Sequence, residues 1–280
     1  MLRKLLLGRY ASLCGVPTPA PRPCHQARQP EHRRGRPAFN KANLKYNPNK
    51  EFIFPSVFDA GLHFGEAGLA RWYLYYAPHD NPGGISFVYS DNLDGPWTEY
   101  QTNPVISRDW PALEAHVLPW QNSVTRWATS EDGINFDYGG IAVSNLDAPV
   151  ATTESSYARV FRHPDPDSEY TWAMFYIVNE PNNIRNTRLA ESFNGKDWTV
   201  ADDYVVSEPG VNVSGGNPWE WDGQLYVTLR DVGTEAVVLF EASGRVAAPY
   251  FVTEGGTTNM LYEAGARSST SIAYATFGGV

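Results

Sequence analysis

The stretch WYLYYAPHDNPGGISFVYSDNLDGPW (residues 72–97) holds two runs of strand-forming residues separated by Gly and Pro. Residues 72–77 are aromatic or apolar throughout, which is typical of a buried strand. The segment Pro82-Gly83-Gly84 is suited to turning the chain back, and Asp94-Gly95 supplies the positive φ of a second tight turn. The stretch therefore predicts two paired strands followed by an outer strand that begins near Trp97.

The same order of strand, loop, strand, Ser-containing turn and aromatic residue recurs along the chain. The first four copies begin 45–53 residues apart, a period expected of four-stranded propeller blades, and the fifth begins 35 residues after the fourth. The further copies span residues 125–140, 170–200, 223–243 and 258–277. Five copies predict an all-β, five-bladed β-propeller, with a β-sandwich as the alternative. Only residues 121–125 stand where blade two needs a full second strand, so this blade is predicted to be shortened.

Charge and composition divide the chain at residue 41. Residues 1–41 carry nine basic side chains and one acidic side chain, whereas residues 42–280 carry 13 basic and 30 acidic ones. We expect a disordered leader over residues 1–41, either a transit segment or an extension without a structural role, and a single propeller domain over residues 42–280. The compartment is left open, and secretion is one alternative.

The acidic balance of the propeller domain excludes some partners. A surface with a net charge of −17 over residues 42–280 repels phosphate backbones, so nucleic acid is not an expected partner. No stretch approaches the ~20 apolar residues of a membrane-spanning helix. Both cysteines, Cys14 and Cys24, lie in the leader, so the domain needs no disulfide and no thiolate metal site.

Strand direction identifies the candidate functional residues. Each blade has a candidate innermost strand, and these span residues 52–61, 113–120, 154–163, 214–221 and 245–256. In a propeller blade, the start of the innermost strand and the end of the second strand open on the same face. The residues at these positions are His79, Asp80, Glu114, His116, Glu154, Tyr157, Asn179, Glu180, Arg230, Asp231, Glu263 and Arg267, and Asp59 lies farther along its strand.

Carboxylates that line a shared funnel suit the cleavage of a glycosidic bond. One carboxylic acid protonates the leaving oxygen while a second carboxylate activates water or attacks the sugar. We expect Glu154 to be the acid and Asp80 or Asp59 the base. His79, His116, Tyr157, Glu180, Arg230 and Asp231 are expected to bind or orient the substrate. Each of these residues also has a structural alternative as a turn, packing or ion-pairing group.

A family resemblance rests on the stretch 72–97 and on the motifs FIFPSVFDA (52–60), ATSEDGINFDYGG (128–140) and ESSYARVF (154–161). In these segments the sequence resembles glycoside hydrolase family 43 and the related families 32, 68 and 117. The resemblance covers residues 46–277. It implies an inverting hydrolase of arabinose- or xylose-containing glycans that takes an acid Glu from blade three, and this residue is Glu154. Family members often bind a structural calcium ion on the axis, but no residue of this sequence demands one, and no cofactor is expected.

This sequence departs from the family pattern at two of the three positions that carry the implied chemistry. The slot of the catalytic base holds Phe54, and the slot of the second-blade carboxylate falls at or near His116. Either Asp59 or Asp80 replaces the base, with His116 tuning or sharing the acid role, or hydrolysis has been lost. The alternatives to an enzyme are a carbohydrate-binding propeller without catalysis and a protein-interaction propeller.

Overall fold

The computed structural model describes residues 36–39, 44–45, 52–77, 83–107, 110, 124–145, 147, 152–180, 183–206, 212–221, 224–231, 246–265 and 271–277. Within these ranges the protein consists mostly of β-strands. The helical elements described are α1 (Ala60–Phe64) and a 3₁₀ turn over Gly65–Ala67. No described helix is long and apolar enough to cross a membrane.

The described strands form five antiparallel sheets that follow one another in chain order. The first contains β2 (Ile53–Asp59), β3 (Trp72–Ala77), β4 (Ser86–Ser90) and β5 (Thr98–Glu99). The second contains β6 (Thr125–Thr129) and β7 (Asp137–Val143). The third contains β8 (Glu154–Arg162), β9 (Trp172–Glu180), β10 (Ile184–Ser192) and β11 (Thr199–Val206).

The fourth sheet contains β12 (Val213–Trp221) and β13 (Gln224–Asp231). The fifth contains β14 (Val246–Glu254), β15 (Thr257–Ala264), β16 (Ser271–Phe277) and, at its outer edge, β1 (Arg36–Pro37). Four of the five segments expected to be innermost strands are confirmed as strands, β2, β8, β12 and β14, and each lies at one edge of its sheet. The expected strand at 113–120 lies outside the described residues, and so do residues 121–123 of the segment on which the shortening of blade two depends.

The N-terminal segment joins the last sheet. Arg36 pairs with Tyr274, the Ala38 N–H donates to the Ile272 carbonyl at 2.8 Å, and Phe39 is buried. The folded part thus begins before residue 42, where the sequence analysis placed the start of the domain. The charge change at residue 41 does not mark this boundary, because a two-residue edge strand needs only backbone hydrogen bonds and one buried ring.

Buried side chains fill the spaces between successive sheets. In β3, Trp72, Leu74 and Tyr76 pack toward the fifth sheet, whereas Tyr73 contacts the cluster that faces the second sheet. Residues of β3 on both faces are therefore buried, which explains why this strand is apolar throughout instead of alternating. The third sheet repeats the arrangement, with Met174 and Phe175 in clusters on opposite faces of β9.

Each sheet contacts the next sheet along the chain, and the fifth contacts the first. The Tyr75 hydroxyl donates to the Gly133 carbonyl at 2.6 Å between the first and second sheets. Strand β8 contacts β6 of the second sheet and β12 of the fourth, while β14 contacts both β12 and β2. The first strands of neighbouring sheets therefore contact one another in the pairs β8–β12, β12–β14 and β14–β2.

The Ser-containing turns are built by the same hydrogen bonds in the second and third sheets. The Gly133 N–H donates to Ser130 Oγ at 2.8 Å, and Asp132 Oδ1 accepts from the N–H groups of Ile134 and Asn135. At the corresponding place, Ser192 and Asn194 accept the equivalent bonds. The expected positive φ is confirmed at Gly95, Gly133 and Gly195.

The turn at Asp132 should make the stability of the protein depend on pH, whereas the turn at Asn194 should not. An aspartate side chain ionises, and an asparagine side chain does not. Slight burial raises the pKa of Asp132, but hydrogen bonds from Asn135, Ile134 and Ser130 lower it to about 2. A carboxyl whose pKa is depressed on folding stabilises the fold above its unfolded pKa, and this contribution is lost as the pH falls toward 2. We therefore expect Asp132→Asn to be less stable than the unsubstituted protein at pH 7, because it lacks the ionised carboxylate, and to lose less stability than that protein between pH 4 and pH 2.

Urea unfolding at both pH values measures this difference. Asp132→Ala is the matched variant that removes the acceptor, and it should cost about 1 kcal/mol at pH 7. An equal loss of stability on acidification in Asp132→Asn and the unsubstituted protein would contradict the assigned role of the carboxylate.

Candidate functional site

The first strands of four sheets share one backbone irregularity. In each of β2, β8, β12 and β14 the pairing with the second strand shifts by one residue, and a residue with positive φ stands inside the shift. These residues are Phe54 (φ 55°), Tyr157 (φ 55°), Gly215 (φ 68°) and Ala248 (φ 43°). Such a β-bulge re-aims the side chains that follow it. Three of the four positions hold residues for which positive φ is uncommon.

The bulges bring side chains of different sheets together. The rings of Phe54 and Tyr157 meet edge to face, with centroids 4.8 Å apart. The Phe54 N–H donates to Glu263 Oε1 at 3.0 Å, and the Glu263 side chain is fully buried. The first, third and fifth sheets thus meet through an aromatic pair and a buried carboxylate.

Arg159 lies beside this contact, two residues after the bulge in β8. Burial lowers the pKa of its guanidinium, while Tyr250, Glu263 and Tyr157 act in the opposite direction through their charge interactions with it. The side chain nevertheless keeps part of its surface accessible to solvent. Burial also raises the pKa of Tyr250, which forms a hydrogen bond with Ser56, so its hydroxyl stays protonated at neutral pH. These residues define the central cluster: Phe54, Ser56, Tyr157, Arg159, Tyr250 and Glu263.

Glu154 opens strand β8 and is half-buried. Its Oε1 accepts a hydrogen bond from the Ser156 hydroxyl. Glu154, Ser156 and Arg159 stand opposite Asn179, Ile177 and Phe175 in β9. Because alternate residues of a strand share a face, these three positions lie on one face of the third sheet. Phe175 packs with Val227 of the fourth sheet, so this is the face turned toward that sheet.

Glu180 ends strand β9 at the same end of the third sheet as Glu154, and its side chain lies on the opposite face of that sheet. Glu154 is opposite Asn179, and Glu180 is the next residue along β9. Its Oε1 accepts from the side-chain amide of buried Asn186 at 3.1 Å. This contact fixes Glu180 to the neighbouring strand.

Asp59 lies at the far end of β2 from Phe54, about 16 Å along the strand. Its Oδ1 accepts from the Leu62 N–H at 2.9 Å, which begins helix α1, and its Oδ2 lies 3.4 Å from Arg71 Nη2. Arg71 also pairs with Glu254 of the fifth sheet. The structure therefore does not bring Asp59 and Glu154 together. Instead, the carboxylate of Asp59 caps helix α1 and pairs with Arg71.

The remaining expected residues fall into two groups. His79, Asp80 and His116 lie outside the described residues. Arg230 and Asp231 end strand β13, opposite Ser214 and Val213. Tyr157 is in the central cluster, where its ring packs on Phe54.

Ser56, Arg159 and Tyr250 are the members of the central cluster that sequence reasoning missed. Arg159 follows Glu154 by five residues inside a strand, and counting alternate positions without the bulge assigns it to the wrong face. Tyr250 follows the bulge at Ala248 in the same way. The charged residue inside the strand ESSYARVF was the one available signal. Among the residues the structure describes, no group of three or more His, Cys, Asp or Glu side chains is placed to hold a metal ion.

No family model or curated protein sequence matches this chain. Solved structures similar to it include a thermostable family-43 glycoside hydrolase (13% identity, 81% of this chain and 70% of that chain covered, TM-score 0.40). An endo-arabinase from Bacteroides thetaiotaomicron is similar at 12% identity, with 81% and 74% covered and a TM-score of 0.38. A GH32 beta-fructofuranosidase from Bombyx mori is similar at 10% identity, with 98% and 65% covered and a TM-score of 0.48. These neighbours include the family that the motifs resemble, and no residue role is transferred from them.

Proposed function

We propose that this chain is a glycoside hydrolase with a five-bladed β-propeller fold, acting on a poly- or oligosaccharide. The recurrence of one bulge in four innermost strands supports a common blade design. The contacts of each sheet with the next, and of the fifth with the first, support a ring of blades. The proposed reaction uses carboxylates and water and needs no cofactor.

The observation that carries this proposal is the position of Glu154. The carboxylate is half-buried at the start of an innermost strand, and the Ser156 hydroxyl orients it. On the same sheet face, Arg159 presents a cation beside the aromatic pair of the central cluster. A half-buried carboxyl group whose orientation is fixed suits proton transfer to a leaving oxygen, because that transfer requires the acid to be held within hydrogen-bond reach of the substrate.

The proposed base is Asp80, and inversion is the proposed outcome. Asp59 is the weaker candidate because its carboxylate caps a helix and pairs with Arg71 at the far end of β2. An inverting enzyme needs its two carboxyl groups ~6.5–9.5 Å apart, so that a water molecule fits between base and sugar. Asp80 follows the second strand of the first sheet, which ends beside Ile53 at the start of β2.

The test is hydrolysis of aryl-glycosides and plant or algal oligosaccharides by the full chain and by Glu154→Gln. We expect kcat to fall about 10²- to 10⁴-fold in Glu154→Gln, because Gln cannot donate the proton. Glu169→Gln is the matched control, since Glu169 is an exposed carboxylate in the β8–β9 loop of the same sheet. Asp80→Asn should lose activity to a similar extent, whereas Asp59→Asn should retain it.

Turnover that survives in Glu154→Gln would contradict the assignment of the acid. Saturable sugar binding without turnover in the unsubstituted protein would instead favour a carbohydrate-binding propeller. One observation supports this second function: Phe54, in the slot where the resemblance implies a base, packs its ring on Tyr157.

A further inference from the structure

Arg159 carries more hydrogen-bond donors than the surrounding protein uses. A guanidinium has five N–H donors in a fixed planar fork. Among the described residues, the acceptor that Arg159 reaches is the carbonyl of its neighbour Ala158, at a long 3.4 Å from Nη1. A group that is costly to desolvate is thus held at the centre of the molecule with most of its donors available.

The position of Arg159 relative to Glu154 fits the dimensions of a sugar ring. Their partners in β9, Phe175 and Asn179, are four positions apart, or about 13 Å along the strand. Both side chains are long and lie on one sheet face. This separation accommodates one sugar residue between the carboxyl group and the guanidinium. Tyr157 and the protonated Tyr250 hydroxyl lie near the guanidinium end of this separation, and Phe54 packs on Tyr157.

Local and overall charge favour a neutral ligand. Glu263 is a buried carboxylate whose interaction with Arg159 offsets the charge of the guanidinium. The remaining residues of the domain carry a large excess of acidic side chains. An anionic sugar would therefore approach an already balanced cation through a repulsive field.

We propose that Arg159 anchors a neutral sugar by donating two parallel N–H bonds to two adjacent hydroxyl oxygens. The inference takes the ligand class from the proposed glycoside hydrolase function and adds the residue and the charge type of the sugar. Glu154 then faces the same sugar residue from the other end of the strand.

The test measures binding without turnover. In the full chain carrying Glu154→Gln, isothermal titration gives Kd for three neutral trisaccharides, xylotriose, arabinotriose and 1-kestose, and for the acidic trigalacturonate. We expect a neutral trisaccharide to bind most tightly and Arg159→Met to raise its Kd about 10- to 100-fold, as for the loss of hydrogen bonds to a charged group. Arg162→Met is the matched control, because Arg162 lies on the same strand and stacks on Trp172 at the opposite end.

If Arg159→Met shows no cooperative thermal unfolding transition, and therefore does not fold, Arg159→Lys provides the comparison. A lysine keeps the charge but cannot form two parallel hydrogen bonds, so Kd should still rise. Unchanged Kd in the folded variant, tightest binding of trigalacturonate, or no binding of any neutral trisaccharide would overturn the inference. Binding that depends on Arg159, in a protein whose unsubstituted form shows no turnover, would overturn the hydrolase function and leave the anchor in place.

Discussion

Replacing Gly84 by alanine should lower the free energy of unfolding by about 3 kcal/mol, the sum of a backbone and a packing cost. Gly84 has φ +90°, a conformation that L side chains rarely adopt. A Cβ atom at this position would lie 2.5 Å from the Ile106 carbonyl oxygen and 3.2 Å from Pro104 Cβ. The Ile106 oxygen cannot move away freely, because it accepts a hydrogen bond from the Ile85 N–H at 2.7 Å.

Gly256→Ala separates the two costs. Gly256 also has positive φ, 77°, but no described atom lies within 4 Å of its added Cβ. This variant should lose only the backbone share, about 1 kcal/mol. Urea unfolding of both variants measures the difference. Equal losses at Gly84 and Gly256 would mean that the contact with Ile106 does not constrain the first sheet.

The strands and turns of this protein were predictable from sequence because their causes are local. Residues 72–77 are apolar on both faces, and the strand there is buried by sheets on both sides. Gly95, Gly133 and Gly195 were expected at positive φ from Asp-Gly and Asn-Gly turns, and the structure places them there. Each of these features depends on residues within one short segment.

The bulges could not be predicted, and they decide which side chains reach the centre. The sequences FIFPSVFDA and ESSYARVF contain no residue type that favours positive φ at Phe54 or Tyr157. These residues adopt it because the surrounding sheets impose it. One extra residue in a strand moves all later side chains to the other face. For this reason, counting alternate positions assigns Arg159 to the face opposite Glu154, whereas the structure places both residues on one face.

Asp59 shows a second limit of sequence reasoning. A carboxylate near the end of an innermost strand was a reasonable candidate for a base, but the end of that strand coincides with the start of helix α1. Asp is a preferred N-cap residue, and Asp59 satisfies the Leu62 N–H. An Asp at this position is compatible with either a helix N-cap or a catalytic base, and the structure shows the N-cap.

Removing the buried carboxylate of Glu263 should destabilise the protein by about 3–5 kcal/mol, as expected when one partner of a buried charge interaction is lost. In Glu263→Ala the Phe54 N–H loses its acceptor, and Arg159 loses the negative charge that offsets its own. Glu263→Gln keeps an oxygen that can accept from Phe54 and removes only the charge, so it should lie between Glu263→Ala and the unsubstituted protein.

A double-mutant cycle tests whether Arg159 is the group that makes the Glu263 charge necessary. Arg159→Met combined with Glu263→Gln leaves no uncompensated charge at the centre, so the pair should be about 1–3 kcal/mol less destabilised than the sum of the single variants. Chemical unfolding of the three variants gives this coupling energy. Additive losses would mean that Glu263 stabilises the centre only by holding the bulge at Phe54. A positive coupling would mean that the carboxylate keeps a guanidinium charged where a ligand can reach it.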